Sequence, residues 1–261
     1  MWLRTFGESI VGRFNRWAHV VSIAVAAIAA ALRPRYWPQP VRDVLARQIL
    51  FTGFEAIRFV SMIAILVGLA VVLQAQLALS KLGQSGLLGP ILVMVLIREA
   101  GPLLTNFVVI GRSGTAMTTE LANMKVNGEV QLLDAQGLDP FIYLVMPRVL
   151  GAAISIFCLT IIFIAVSFAS GFLAGLLLGA NTGYPNLFIR SVFSAITPAD
   201  VVNLILKSVV PGLLTGAICC SEGLSVGQAF TEVPQAATRA VVRSTATLFL
   251  TSAVVSLATY L

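Results

Sequence analysis

Charged residues are scarce in this chain. Of its 261 residues only 11% are Asp, Glu, Lys or Arg, whereas 58% are hydrophobic, and the mean hydropathy is +0.94. A typical soluble domain carries about a quarter of charged residues, which keep its surface in water. The scarcity therefore excludes an ordinary water-soluble protein and predicts an integral membrane protein, with room for several spans of about 20 residues each.

Residues for metal, disulfide or nucleotide chemistry are equally scarce. The only histidine is His19, and the three cysteines have no CxxC or Cys/His spacing: Cys158, Cys219 and Cys220. This excludes a metal centre and a disulfide framework. No GxxxxGK[ST] phosphate loop is present, and LSVGQ at Leu224–Gln228 resembles an ABC ATPase signature only by coincidence, so we expect no cofactor on this chain. The net charge of +6 is dispersed, which does not favour nucleic acid as a partner.

Five apolar segments are long enough to cross a bilayer: Phe59–Leu79, Leu87–Gly111, Val149–Gly179, Val201–Ser221 and Thr245–Leu261. The predicted fold is an all-α integral membrane protein with a single domain over 1–261, divided into an N-terminal interfacial region, 1–46, and a transmembrane region, 47–261. Thirteen Lys and Arg residues lie in the connections on one side and two, Lys81 and Arg190, on the other. By the positive-inside rule, the N-terminus is cytoplasmic and the C-terminus is outside.

The apolar stretch from Trp17 to Leu32 has three interpretations. It is shorter than the usual span and rich in alanine, which disfavours a sixth crossing. A signal peptide remains open because small residues follow an apolar core, although the charged region ahead is long. An interfacial amphipathic helix, anchored by Trp17, Tyr36 and Trp37 with arginines at the headgroups, is the interpretation that we favour.

Two adjacent charges, Arg98 and Glu99, interrupt the second predicted span in VLIREAGPLLTN. A charge at the bilayer centre costs about 3 kcal/mol or more, so both side chains must face protein or water. They could neutralise each other and hold helices together. Alternatively, they polarise a cavity on a substrate path, since neighbours about 100° apart on a helix address two surfaces. Lys207, in the fourth predicted span, is a third candidate for such a cavity.

The connection after the second predicted span contains a short amphipathic pattern. Apolar Val130 and Leu133 alternate with polar residues between Asn127 and Gln136, and Gly137 follows. This spacing predicts a short cytoplasmic helix. We expect its apolar ridge to be uncovered by its own loop and to dock into a groove of a cytoplasmic partner.

The segment between Arg98 and Arg148 resembles the signature region of the MlaE (YrbE) permease family. It contains REAGP, then GRSGTA, and DP ahead of PR. Thr115 and Leu133 depart from residues common in relatives. The resemblance implies a permease subunit of an ABC transporter that moves phospholipids or related lipids between the bacterial inner membrane and the cell envelope.

The same resemblance implies partners and site residues. The permease would form a homodimer, bind a cytoplasmic ABC ATPase that holds ATP and Mg, and carry a periplasmic MCE-domain protein. A small STAS-domain protein is a further candidate partner. The coupling helix would meet the ATPase through Glu129, Val130, Leu132, Leu133 and Asp134. The lipid cavity would lie at the dimer interface between the first and fifth spans, with four residues matching polar positions near the headgroup: Arg47, Arg98, Glu99 and Lys207.

Two other function classes stay open at this point. In an ion-coupled secondary transporter, Arg98 and Glu99 would form a midplane site, but the chain shows no inverted repeat. A membrane-embedded enzyme would need a nucleophile beside a base, and the Ser, Thr and Cys residues are scattered. The identity of the lipid and the direction of its movement do not follow from the sequence.

Overall fold

The structure, a computed structural model, describes residues 2–81, 87–177, 185–227 and 229–260. All regular elements in this part of the chain are helical. Five helices are long and apolar enough to cross a membrane: Gln39–Leu79, Leu88–Val126, Phe141–Leu177, Pro198–Leu224 and Glu232–Thr259. We call them the first to fifth spans. They confirm the predicted all-α membrane fold.

The spans are longer than the hydropathy pattern predicts. The first begins at Gln39 instead of Phe59, and the fifth at Glu232 instead of Thr245. Hydropathy marks only the part of a helix that suits hydrocarbon, whereas backbone hydrogen bonds continue through polar residues. A helix of 28 residues is about 42 Å long, and the hydrocarbon core is about 30 Å thick. The predicted ends at Gly179 and Leu261 lie outside the described residues.

Segments of π-helix, whose turns are wider than those of an α-helix, occur in three of the spans. The first span joins an α-helix, Gln39–Thr52, to a 3-10 turn and further helical segments: Phe54–Ala56, Ile57–Val67, the π-helical Gly68–Val72 and Leu73–Lys81. The second alternates α and π segments: Leu88–Leu92, π Val93–Ala100, Gly101–Val109, π Ile110–Gly114 and Thr115–Val126. The third starts with π Phe141–Val145 and continues as Met146–Leu177. Such π turns often occur at functional sites.

An N-terminal helix, Trp2–Ala31, precedes the spans. Its apolar part, Trp17–Ala31, is shorter than any of the five crossings. After a 3-10 turn, the Trp37 indole nitrogen donates to the carbonyl of Ala31 at 2.8 Å and so closes the end of the helix. The predicted helix is therefore present, and its position at the interface stays a prediction. Two further short helices are Glu129–Ala135 and Pro185–Ala195.

The chain divides into two compact units. The first unit comprises the residues up to Leu50 together with Ile110–Ala153 and Gly212–Thr247. Its core contains buried side chains of the second, third and fourth spans, among them Met117, Met146 and Cys220. The second unit comprises Phe51–Val109, Ile154–Pro211 and the residues from Leu248 onward. Its core includes Ile156, Phe163, Leu92 and Leu96. A single permease domain stays a prediction.

Within the second unit, the first and third spans approach each other through small residues. The Ser167 hydroxyl donates to the carbonyl of Ala64 at 3.0 Å. A Cβ atom at Gly68 would collide with the Ser167 carbonyl, and one at Gly171 would collide with Val72. Small residues allow close backbone approach in membranes, where packing replaces the hydrophobic drive between helices. This contact fixes one wall of the unit that holds the charged residues.

Candidate functional site

Two prolines in the second unit each leave a backbone carbonyl without its usual helical hydrogen bond, next to the charged residues. Pro102 in the second span and Pro211 in the fourth have no N–H, so neither can donate to the carbonyl four residues earlier. Those carbonyls belong to Arg98 and Lys207. The Lys207 ammonium donates to the Arg98 carbonyl at 3.0 Å, and the Asn106 amide donates to the Lys207 carbonyl at 3.3 Å. A side chain of each span thus donates to the carbonyl that lacks its helical donor in the other span.

Arg98 pairs with a carboxylate of the fourth span. Its Nε lies 2.7 Å from Oδ1 of Asp200, whose side chain is fully buried. The Thr197 amide and hydroxyl also donate to Oδ2 of Asp200, at 2.9 and 2.8 Å. The carboxylate therefore caps the start of the fourth span and at the same time neutralises Arg98.

Glu99 pairs with Lys207, also on the fourth span. The Lys207 ammonium lies 2.6 Å from Glu99 Oε2; the lysine side chain is 1% exposed and the glutamate side chain 47%. The Ser256 hydroxyl of the fifth span donates to Glu99 Oε1 at 2.8 Å. Glu99 therefore links the second span to the fourth and the fifth, at the accessible edge of the pair.

We call Arg98, Glu99, Asp200, Lys207 and Ser256 the intramembrane charge cluster. It holds two positive and two negative charges, and each member of the adjacent Arg98–Glu99 pair has an opposite charge on the fourth span. Pairing offsets the desolvation cost of charges in a low-dielectric interior. The side chains of Arg98 and Glu99 are 29% and 47% exposed. The cluster can therefore offer a charge of either sign to a ligand.

The structure brings together Arg98, Glu99 and Lys207, three of the four predicted site residues. The fourth, Arg47, is exposed on the first span within the first unit, and its role stays a prediction. Sequence reasoning missed Asp200, although two signals were available. Thr197 followed three residues later by an acid marks a helix start, and Asp200 and Lys207 lie two turns apart on one helical face.

The predicted amphipathic helix is present as Glu129–Ala135. Gly128 precedes it and Gly137 follows it, with φ angles of 77° and 76°. These left-handed conformations suit glycine and produce the sharp turns at both ends. The connection between the second and third spans therefore contains a defined helix.

The predicted uncovered ridge on this helix is wrong. Val130 is buried and Leu133 packs against the core of the first unit, because residues three apart share the face that meets the chain itself. The large apolar residue that is exposed on this helix is Leu132, at 59%. The exposed carboxylates of Glu129 and Asp134 lie on the same short helix. Any partner would therefore meet Leu132 and these acids.

Comparison with known proteins gives a consistent result. The family model described as Permease MlaE matches residues 45–258. A probable ABC transporter permease protein of Rickettsia conorii is 31% identical over 220 residues, which cover 84% of this chain and 82% of the relative. The Arabidopsis thaliana protein TRIGALACTOSYLDIACYLGLYCEROL 1, chloroplastic, is 31% identical over 211 residues, which cover 80% of this chain and 59% of that protein. A probable ABC transporter permease protein of Synechocystis is 30% identical, over 78% of this chain and 77% of its own length.

Proposed function

Because the chain belongs to the MlaE permease family and is an ABC transporter permease, we propose that its cargo is a phospholipid or a related lipid. The transporter would move this lipid between the bacterial inner membrane and the cell envelope. The name of the Arabidopsis relative contains that of a diacylglycerol lipid, which supports a lipid cargo. The multi-pass chain would lie in the inner membrane with a cytoplasmic N-terminus and a periplasmic C-terminus, as its distribution of basic residues favours.

The observation that carries this proposal is the intramembrane charge cluster. A buried ion pair repays its desolvation cost only when its geometry is good and its remaining hydrogen bonds are made. Arg98 and Glu99 are paired but stay partly exposed, so both are accessible to a ligand. A lipid presents charges in its headgroup and apolar chains beside them. Charged side chains surrounded by apolar spans suit such a molecule. The headgroup would meet Arg98, Glu99 and Lys207, and the acyl chains would stay in an apolar environment.

A homodimer is the arrangement that we propose for the cavity. The most apolar windows of the first and fifth spans are only 28% buried, compared with 50–56% in the other three spans. Exposed apolar faces on two spans fit a second copy with lipid between the copies. Ser256 of the fifth span contacts Glu99, so one of these two spans already reaches the charge cluster.

The partner subunits that we propose are those that the family resemblance implies. ATP hydrolysis, with ATP and Mg, would occur on a cytoplasmic ABC ATPase that docks at Glu129–Ala135 through Leu132 and the acids beside it. A periplasmic MCE-domain protein would receive or deliver the lipid, and a small STAS-domain protein is a candidate accessory subunit. The proposed homodimer would hold two ATPase copies.

The test is ATP-driven lipid transfer by the purified complex in liposomes. We expect an ATPase chain to copurify, phospholipid to be found in the complex by mass spectrometry, and labelled phospholipid to move only when ATP is hydrolysed. The ion-coupled alternative predicts transport that needs an ion gradient and no ATPase chain. Lipid transfer that is independent of ATP would overturn the proposal.

A further inference from the structure

Two neighbouring clefts of the first unit combine an apolar wall with a pair of arginines. One, of about 490 Å³, is mostly apolar and is lined by Trp17, Val20, Ile218, Val242, Arg243, Ala246 and Thr247. The other, of about 530 Å³, is lined by four residues with polar side chains and one valine: Gln235, Thr238, Arg239, Arg243 and Val242. Because the clefts share Val242 and Arg243, they form one groove, apolar at one end and basic at the other. We call it the basic groove.

A buried carboxylate fixes the two arginines of this groove. The side chain of Glu222, on the fourth span, is only 6% exposed and accepts from Arg239 Nε at 3.1 Å and from Arg243. The two arginine side chains nevertheless remain 44% and 40% exposed. One carboxylate between two guanidinium groups leaves a net charge of +1. The exposed parts of the two side chains give a ligand access to guanidinium groups that Glu222 holds in place.

The position of the arginines along the fifth span places them near the membrane surface. They lie seven and eleven residues after Glu232, which is about 10 and 16 Å along the helix. The continuous apolar run begins only at Thr245, so the excess length of the span, about 12 Å, lies at the Glu232 end. Arg239 is thus at headgroup depth, and Trp17 is a residue type typical of that depth.

We propose that the basic groove binds one anionic phospholipid of the surrounding bilayer. An acyl chain would lie against Trp17, Val20 and Ala246, and the phosphate would lie at Arg239 and Arg243. Guanidinium groups match phosphate oxygens in a bidentate geometry, and the net charge of +1 suits a headgroup with one negative charge. This site belongs to the first unit and shares no residue with the intramembrane charge cluster.

A second copy of the chain is a less suitable occupant of the groove. A two-fold axis through the groove would bring together identical surfaces, each with a net positive charge from Glu222, Arg239 and Arg243. Like charges at short range disfavour that contact. An anionic lipid instead complements both the charge and the apolar wall.

Fluorescence of Trp17 reports directly on the apolar end of the groove. The chain has three tryptophans, so the Trp2→Phe/Trp37→Phe background leaves Trp17 as the only strong fluorophore. The full chain would be reconstituted in phosphatidylcholine vesicles that contain either brominated phosphatidylglycerol or brominated phosphatidylcholine at equal mole fraction. Bromine quenches on contact. We expect the anionic lipid to quench Trp17 several-fold more effectively than the zwitterionic lipid.

Variants separate the groove from general attraction of anionic lipid to a basic protein. Arg239→Gln should reduce the preference for phosphatidylglycerol, and Glu222→Gln/Arg239→Gln/Arg243→Gln should abolish it. The triple change also removes the buried carboxylate, so no charge is left without a partner. Arg42→Gln is the matched control, because Arg42 is an exposed arginine of the first unit outside the groove. It should keep the full preference.

Filling the apolar end gives an independent readout. Ala246→Phe should reduce quenching by both lipids, because the larger side chain occupies the space of the acyl chain. Equal quenching by the two lipids in the parent protein would overturn the proposal, as would a preference that survives the triple change. Protection of Trp17 from both lipids would show that a second copy covers the groove, and would overturn it as well. Size-exclusion profiles and helical content would verify that each variant is folded.

Discussion

The Glu99–Lys207 pair predicts an unequal response to the loss of either partner. Glu99→Gln leaves the Lys207 ammonium, whose side chain is 1% exposed, with neutral acceptors such as the Arg98 carbonyl and no paired carboxylate. Removing one partner of a buried pair costs roughly 3–5 kcal/mol, because the other charge stays desolvated. Lys207→Gln instead leaves Glu99, which is 47% exposed and still bonded to Ser256. Its cost should be about 1–2 kcal/mol, between the values for surface and buried pairs.

Thermal unfolding in detergent measures this difference. For a chain of this size, 1 kcal/mol shifts Tm by about 2–4 °C, so Glu99→Gln should lower Tm by roughly 6–20 °C and Lys207→Gln by roughly 2–8 °C. The double change should cost less than Glu99→Gln alone, because it leaves no buried charge without its partner. The reasoning is refuted if Lys207→Gln destabilises as much as Glu99→Gln. That result would mean that the exposed side of Glu99 meets lipid tails and no polar cavity.

A pair of the same kind in the first unit provides a matched check. Arg148 Nη2 lies 2.7 Å from Glu120 Oε1, with the arginine side chain 6% exposed and the glutamate side chain 58%. The buried arginine also donates to the Leu144 carbonyl at 3.0 Å, much as Lys207 donates to a carbonyl. The same reasoning therefore predicts that Glu120→Gln lowers Tm more than Arg148→Gln does.

Three further predictions concern other parts of the chain. Leu132→Asp should weaken binding of the ATPase by about 2 kcal/mol, roughly thirtyfold in Kd, because it places a charge in an apolar contact. Leu133→Asp should instead destabilise the permease itself. If the Leu132 variant copurifies with an unchanged amount of ATPase, this helix is not part of the interface. Gly68→Ala should cost about 1–3 kcal/mol in unfolding experiments, because the new methyl group overlaps the Ser167 carbonyl; an unchanged Tm would contradict the close packing. A cysteine at Gln84 should react with an impermeant reagent from outside the cell, and one at Asn127 should not; the reverse labelling would contradict the predicted orientation.

The number of spans could be predicted from the sequence because crossing a bilayer needs a long apolar run, and the order of residues along the chain shows such runs directly. The partners of Arg98 and Glu99 could not be predicted. They depend on the register of the second span against the fourth, and apolar packing surfaces of similar composition permit many registers. Pro102 and Pro211 carry part of this information, since each marks the carbonyl that its own span cannot bond. That rule leads to Arg98 and Lys207 but does not identify the side chains that bond their carbonyls.

The short helix between the second and third spans shows a different limit. Its pattern located the helix to within two residues at its N-terminal end, since Asn127 was predicted and Glu129 is observed. The same pattern could not tell whether Val130 and Leu133 face the chain or a partner, because a buried ridge has the same spacing in either case. Only the tertiary structure shows that Leu132, and not Val130, is exposed on this helix.

The central claim is that the intramembrane charge cluster acts on the lipid and does more than hold helices together. Its most direct test is ATP-driven phospholipid transfer by reconstituted complexes that carry Glu99→Gln/Lys207→Gln, compared with wild type at equal ATPase content. Thr160→Val is the control, since this buried hydroxyl of the same unit donates to the Ile156 carbonyl of its own helix and lies outside the charge cluster. We expect the double variant to lose transfer by about tenfold or more, the effect of one charge-assisted contact of at least about 1.4 kcal/mol. Transfer by the double variant at the rate of the control would contradict the claim and leave the Glu99–Lys207 pair as a structural contact between spans.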